Sequence, residues 1–312
     1  MMRDLCRPVA QERQLTECET DPLAIRAAQG LAAAALIAAA GWKARALTKS
    51  GAAAATAVGA AVYAGMGTRG SLTMVSYFAA MSALGKLPGA ILAQQRGKRR
   101  DAVQVLANGL PAAVFSLIHA IVPGRLGDAA TAGFFGSIAT AAADTSATEL
   151  GTRWGGQPRS IVTGRRASPG ESGGVTPVGL AASIVASFGI AVTAYPWRPK
   201  SGLAMLSCML GGLCGSLTDS LLGALVQERR WCATCQAPTE LVEHTCGHRT
   251  HHLSGAPFVD NDTVNFLSVL AGGLVALVLA DTAKKLTDRN GSRVEFNTTL
   301  TNSRLPGELG AP

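Results

Sequence analysis

Asp144 and Asp219 stand inside apolar stretches, where a charge is costly unless something neutralises it. Lys86 and Asn108 sit inside two further stretches, and Asp260, Asn261, Asp262 and Asn265 crowd the start of another. Three or four carboxylates against one intramembrane lysine leave an excess of negative charge. A divalent cation neutralises such an excess. Mg²⁺ takes octahedral oxygen coordination from one or two carboxylates together with water and phosphate oxygens. Asp144, Asp219, Asp262 and Asn265 are therefore candidate Mg²⁺ ligands, with Lys86 facing phosphate and Asn108 orienting substrate or metal-bound water. The alternative is a set of internal ion pairs, such as Lys86 with one aspartate.

A second group lies in ADTSATELGTRWGGQPRSIVTGRRASPGESGGVT, residues 143–176. Asp144 and Glu149 are five residues apart, about 140° around a helix, so they share no helical face. Glu149 is expected just past the helix end, in the turn LGTRWGG, folded back over the acidic cluster. Arg159, Arg165 and Arg166 follow, and Gly170, Gly173 and Gly174 lie in SPGESGGVT. Glycines let several backbone N–H groups point at one anion, and the N-terminus of a following helix adds its dipole. A glycine-rich loop alone reads as a linker. Beside arginines and intramembrane carboxylates it reads as a phosphate site, because metal-bridged phosphates neutralised by Lys and Arg are the working parts of phosphoryl transfer. The candidate catalytic residues are Asp144, Glu149, Asp219, Lys86 and Asn108. The candidate phosphate-binding residues are Arg159, Arg165, Gly170, Gly173 and Gly174.

Apolar blocks have to hold these residues. Only 15% of the 312 residues are charged, against about 25% in an ordinary soluble domain, and the mean hydropathy is +0.24. Blocks of about 17–23 residues have the length that crosses roughly 30 Å of hydrocarbon. Candidate spans fall at roughly 23–41, 50–66, 72–93, 102–122, 129–148, 176–195, 202–226 and 263–281. Those at 50–66 and 129–148 are Ala- and Gly-rich and weakly apolar, which leaves a count of about six to eight. The expected fold is all-α: a polytopic transmembrane helix bundle with a short Cys/His-rich loop. Residues 1–22 read as a polar N-terminal tail and 283–312 as a polar C-terminal tail. Residues 23–282 read as the transmembrane domain, with the Cys/His-rich insert at 227–262.

The net charge of +8 is concentrated. Lys43, Arg45 and Lys49 follow the first span, Arg96, Lys98, Arg99 and Arg100 the third, and Arg153, Arg159, Arg165 and Arg166 the fifth. Alternation of basic with sparse loops places the basic loops in the cytosol, and interleaved spans argue against nucleic acid as the partner of the basic residues. On that topology Lys86, Asn108, Asp144, Asp219 and the cluster at 260–265 all fall within one slab near the cytosolic face, with nothing comparable at the outer level. Arg100, Gln104 and Asn108 form one stripe, as do Gly211, Gly215, Asp219 and Gly223. Small residues at that interval let helices approach closely in a membrane, so Asp219 is expected to point into the bundle.

Seven cysteines are present. Cys208 and Cys214 lie in a span, and Cys6 and Cys18 in the tail. The other three stand in CATCQAPTELVEHTCGHRTHH: Cys232, Cys235 and Cys246, with His244 and His248 flanking the last. Cys-x2-Cys followed at short range by Cys and His is zinc spacing, and a cytosolic loop is reducing, which disfavours a disulfide. Three cysteines with His244 or His248 close a structural Zn²⁺ site ahead of Asp260. An unmetallated loop is the alternative.

Several motifs resemble the transmembrane protein 19 family, also called domain of unknown function 92. They are KRRDAVQVLANG at 98–109, DTSATELG at 144–151, PRSIVT at 158–163, PGESGGVT at 169–176, DSLLGA at 219–224 and DNDTVN at 260–265. They run in the family's order through about residues 40–282. Two departures stand out: Glu171-Ser172 where the family's loop has Thr-Asn, and Thr148 where it has Ser. The architecture is similar to that of membrane dolichol kinases and cytidylyltransferases, and a plastid branch looks like a kinase of phytyl phosphate. The resemblance thus implies a CTP- or ATP-dependent, Mg²⁺-dependent phosphoryl- or nucleotidyl-transferase acting on an isoprenoid or lipid phosphate at the cytosolic face. A transporter or channel, or a non-enzymatic membrane scaffold, are the competing classes. The expected location is a multi-pass position in an endomembrane, or in a plastid, with the lipid bilayer, a lipid phosphate and a nucleotide as partners.

Overall fold

A computed structural model describes residues 22–87, 99–194 and 202–302, with side chains as far as Asp288. Among these residues are seven helices: α1 (Pro22–Lys43), α2 (Lys49–Leu84), α3 (Ala102–Ile121), α4 (Arg125–Trp154), α5 (Pro177–Ala194), α6 (Gly202–Leu225) and α7 (Asn261–Asn302). A short ladder pairs β1 (Arg159–Ser160) with β2 (Gly174–Val175) between α4 and α5. Between α6 and α7, β3 (Arg229–Cys232), β4 (Ala237–Thr239) and β5 (His251–Ser254) form an antiparallel sheet in the order β4-β3-β5.

Five helices have the length and apolarity to cross a membrane: α1, α3, α5, α6 and the first part of α7, Asn261–Asp288. The other two, α2 and α4, account for the weakly apolar candidate spans. The reason for α4 is its position. It packs against α3, α5, α6 and α7, and its residues from Ala129 to Ala143 are all buried. A helix walled in by protein has no need of large apolar side chains toward lipid, whereas small ones let neighbours close in. Gly136 lies against Ala276 and Gly272 of α7, and Gly212 of α6 lies against Ala139. The lipid-facing helices carry the outward apolar side chains instead, for example Leu36 on α1, Val185 on α5 and Val278 on α7.

Two expected spans, 50–66 and 72–93, form the single element α2, and the break between them is one residue. Gly67 has φ +61° and ψ −159°, a conformation open to glycine. Gly51 packs on the Arg100 carbonyl, and Phe78 lies 5.3 Å beneath the Arg100 guanidinium. Those two residues would be about 40 Å apart on a straight helix, so α2 doubles back at Gly67. Its halves, with the other six helices, make eight segments running side by side. The end of the expected span at 72–93 lies outside the described residues.

The ends of the bundle differ. Arg45, Arg99, Arg100 and Arg153 share one end with Asp144 and Asp219. At the other end, Arg125 Nε meets Asp281 Oδ1 and Lys284 Nζ lies 2.7 Å from Asp128 Oδ2. Polar groups are thus present at the expected outer level too, contrary to the sequence reading, but these pair with each other at a partly exposed rim. From Asp128 to Asp144 is about 24 Å of helix. The last helix also continues well beyond the expected span end at 281, to Asn302.

Candidate functional site

The candidate site is assembled by helix register. α4 and α6 run in the same direction, and Gly215 faces Thr140 with no room for a Cβ between them. One turn further along each helix stand Asp219 and Asp144. α7 runs the opposite way and also meets Thr140, at Gly272. One turn back along it, the Ser268 hydroxyl donates to Asp219 Oδ2 at 3.1 Å, and the next turn carries Asn265, Asp262 and Asn261. Small residues set the helix spacing, and that spacing sets the convergence.

These groups line one cavity of about 840 Å³. Of the residues anticipated from sequence, Asp144, Glu149, Asp219, Lys86, Asn108, Gly170, Gly173, Gly174, Asp262 and Asn265 all border it. Arg159 and Arg165 do not. Both are exposed on the far side of the β1–β2 turn, where Arg159 Nη1 donates to the Gly164 carbonyl at 3.0 Å. Of the paired strands, Gly174 and Val175 border the cavity and Arg159 and Ser160 do not. Among the described residues, the cations that do face the cavity are Arg45, Lys86, Arg99 and Arg100. Arg100 was legible as the first member of the stripe with Gln104 and Asn108. Tyr77 borders the cavity as well, and nothing but its place in a span marked it.

Glu149 corrects the expectation for the end of α4. It lies within the helix, which runs on to Trp154 and stops at Gly155 and Gly156. Asp144 and Glu149 both reach the cavity because it wraps round this end of α4, touching residues from Asp144 to Thr152. The Glu149 carboxylate meets Arg153 Nη1 at 2.9 Å, with the Arg153 side chain 3% exposed and that of Glu149 13%. Arg153 Nη2 also donates to the carbonyls of Leu84 and Leu87, each at 3.1 Å, tying the end of α2 to α4. The sequence showed Arg153 only as one charge in a basic loop.

Gly170 and Gly173 both have φ +81° and so need glycine. Ile161 N–H donates to the Gly173 carbonyl at 2.9 Å, and Gly173 lies directly on Ala224 at the end of α6. Thr176 caps α5, its hydroxyl accepting from Gly179 N–H at 3.0 Å, so this helix N-terminus also faces the cavity. Glu171 adds a negative charge to the loop. Its carboxylate is occupied, by Ser168 N–H at 2.8 Å and Arg229 Nη1 at 2.9 Å.

A second, narrow slot of about 140 Å³ runs between α1, α2 and α3, among residues such as Gly30, Ala34, Gly59, Val62, Met74 and Phe78. Its lining is almost wholly apolar, and it meets the polar cavity at Tyr77, Arg100, Gln104 and Asn108.

The Cys/His-rich loop closes on itself. Donor atoms of Cys232, Cys235, His244 and Cys246 all lie within 4.8 Å of one another. Cys232 Sγ and Cys246 Sγ are 3.6 Å apart. Two sulfurs on a tetrahedral Zn²⁺ with bonds of about 2.3 Å stand about 3.8 Å apart, so the spacing fits that ion. A left-handed Gly247, φ +80°, makes the turn that brings Cys246 back to His244. His248 touches Cys246 Sγ at 3.5 Å but stands outside the four. The Cys235 N–H donates to Cys232 Sγ at 3.4 Å and draws that thiol's pKa down. Hydrogen bonding to Cys246, then burial, push the Cys235 thiol up to about 11.

Helices of membrane-spanning length around a polar cavity with an apolar side slot define an integral, multi-pass membrane protein. Residues 32–273 match the family described as integral membrane protein DUF92, and the chain belongs to that family. Protein PGR of Arabidopsis thaliana is 32% identical over 198 residues, 56% of this chain and 67% of that protein. Protein VTE6, chloroplastic, from the same plant is 23% identical over 240 residues, 75% and 65% of the two chains. An uncharacterized membrane protein of Synechocystis is 25% identical over 232 residues, 73% and 80%. The matched stretches span about two thirds of the plant proteins' own lengths. No solved structure matches.

Proposed function

We propose that the cavity is the active site of a Mg²⁺-dependent phosphoryl- or nucleotidyl-transferase that acts on an isoprenoid or lipid phosphate. The observation that carries this reading is the adjacency of two unlike spaces, a polar cavity rich in carboxylates and guanidinium groups and an apolar slot, which share Tyr77, Arg100, Gln104 and Asn108 as a common wall. An amphiphilic phosphate fits both, its head in the first and its hydrocarbon chain in the second. The donor set suits the ion, since Asp144, Asp219, Asp262 and Asn265 offer carboxylate and amide oxygens from three helices. Those residues would hold Mg²⁺, whose chemistry there would be to neutralise phosphate charge.

The chain's own groups have separate tasks. Lys86, Arg99 and Arg100 neutralise phosphate, with Arg100 at the junction of head and tail. Gly170, Gly173 and Gly174 shape the loop that closes the cavity, the Gly174 N–H being held by the Glu171 carbonyl at 3.0 Å, and the α5 N-terminus adds its dipole toward the anion. Asn108, one turn from Gln104, orients the acceptor. Ser268 positions Asp219, and Glu149 acts through Arg153 as a positioning residue. Arg159 and Arg165 lie outside this scheme. In the Cys/His module, Cys232, Cys235, Cys246 and His244 would hold Zn²⁺ in a structural role, four protein donors leaving no position for catalysis.

The test is transfer from labelled CTP or ATP to prenyl phosphates by the purified protein, with and without Mg²⁺. Transfer that disappears in Asp144→Asn and Asp219→Asn proteins supports the reading, and normal transfer by both ends it.

A further inference from the structure

The Cys/His module and the glycine-rich loop are far apart in sequence but meet in space. Arg229, on β3, donates from Nη1 to Glu171 Oε1 at 2.9 Å and from Nη2 to the Ser172 carbonyl at 3.0 Å. The Ser172 hydroxyl donates to Glu240 Oε1, just past β4. On its opposite side the loop rests on Gly223 and Ala224 at the end of α6. The loop is thus gripped between a membrane helix and the module.

The gripping surface has little apolar support of its own. Its strands are three or four residues long. β5 is exposed throughout, and Val242 and Leu253 face solvent at 63% and 53% exposure. A sheet this small does not stand without a further cross-link. Cys232, where the metal donors converge, is the last residue of β3, three positions from Arg229. A metal that fixes the β3–β4 turn therefore fixes the strand that presents Arg229 and, through the β3–β4 pairing of Arg230 with Thr239, the position of Glu240.

We propose that the module is a zinc-dependent clamp: Zn²⁺ on Cys232, Cys235, His244 and Cys246 holds the small sheet in shape, and Arg229 and Glu240 then hold the loop at 170–174 against the cavity. This rests on the zinc reading of the module and is independent of phosphoryl transfer.

The experiment combines zinc content with hydrogen exchange on the purified full chain in detergent. The clamp predicts about one Zn²⁺ per chain. Stripping it with 1,10-phenanthroline, or replacing Cys246 by Ser, speeds amide exchange at 170–174 about tenfold, the scale of losing one charged hydrogen-bond pair. Arg229→Ala does the same to the loop while zinc stays bound, which separates loss of the grip from collapse of the module. Exchanging the charges, Glu171→Arg with Arg229→Glu, brings loop exchange back toward the parent rate. A chain that binds no zinc overturns both the metal site and the clamp. Zinc that binds and leaves with no change of exchange at 170–174 overturns the clamp alone.

Discussion

Replacing Arg153 by Met keeps the aliphatic stem and removes the guanidinium. The Arg153 side chain is 3% exposed and its partner Glu149 13%, so Arg153→Met leaves a nearly buried carboxylate without its counter-charge. Breaking a buried pair from one side costs about 3–5 kcal/mol. The carbonyls of Leu84 and Leu87 lose their donor as well, at about 1 kcal/mol each. Because Glu149 borders a polar cavity, part of this is recovered by hydration, and a net loss of about 3 kcal/mol is expected. For a chain of 312 residues that is a drop of about 5 °C in apparent Tm. The assay is thermal unfolding of the detergent-solubilised protein, at one scan rate because unfolding of such proteins is irreversible. Adding Glu149→Gln removes the stranded charge, and the double variant should recover about half the loss. A single variant that melts within about 1 °C of the parent would refute the pairing argument. So would a double variant less stable than the single.

Other consequences follow from packing and from the proposed chemistry. Gly211 has the Gly272 carbonyl oxygen 2.5 Å and the Ala276 methyl 2.7 Å from where a Cβ would stand; Gly211→Leu should cost about 3 kcal/mol or more by overpacking, read as loss of monodisperse protein on size-exclusion chromatography. Val75 lines the apolar slot; Val75→Trp should weaken transfer to long-chain prenyl phosphates about tenfold in kcat/KM, as loss of about two buried methylenes would, while leaving a five-carbon analogue unaffected. Arg159→Ala and Arg165→Ala should leave KM for both substrates unchanged, whereas Arg100→Ala should raise KM for the prenyl phosphate about tenfold.

Much of this arrangement was legible before any coordinates, for identifiable reasons. Charges in apolar blocks announce themselves by their free-energy cost, so Asp144 and Asp219 could be placed in one cavity from depth alone; Lys86 also borders it, but from an exposed position two residues past the end of α2 rather than from within a span. Four-residue spacing of Gly211, Gly215 and Asp219 carried the facing of α6. Other features depended on contacts that spacing does not encode. The end of α4 looked like a loop because Glu149 and Asp144 share no face, yet the cavity wraps the helix. Arg159 and Arg165 looked like phosphate ligands because they flank glycines, but both are exposed and Arg159 is held by the Gly164 carbonyl. The reversal of α2 at Gly67 resided in one positive φ among many glycines. Arg153 passed as a loop charge and nothing in the sequence singled out Arg229, since their partners, Glu149 with the end of α2 and Glu171 with Ser172, are fixed only by the fold.

The most direct measurement is the binding of Mn²⁺, a Mg²⁺ substitute visible by electron paramagnetic resonance, to the purified zinc-loaded chain with a non-hydrolysable nucleotide. Saturable binding that is lost in Asp144→Asn and in Asp219→Asn, and kept in Arg159→Ala, is the predicted result. No saturable binding, or binding indifferent to both aspartates, would contradict a cation held between α4 and α6.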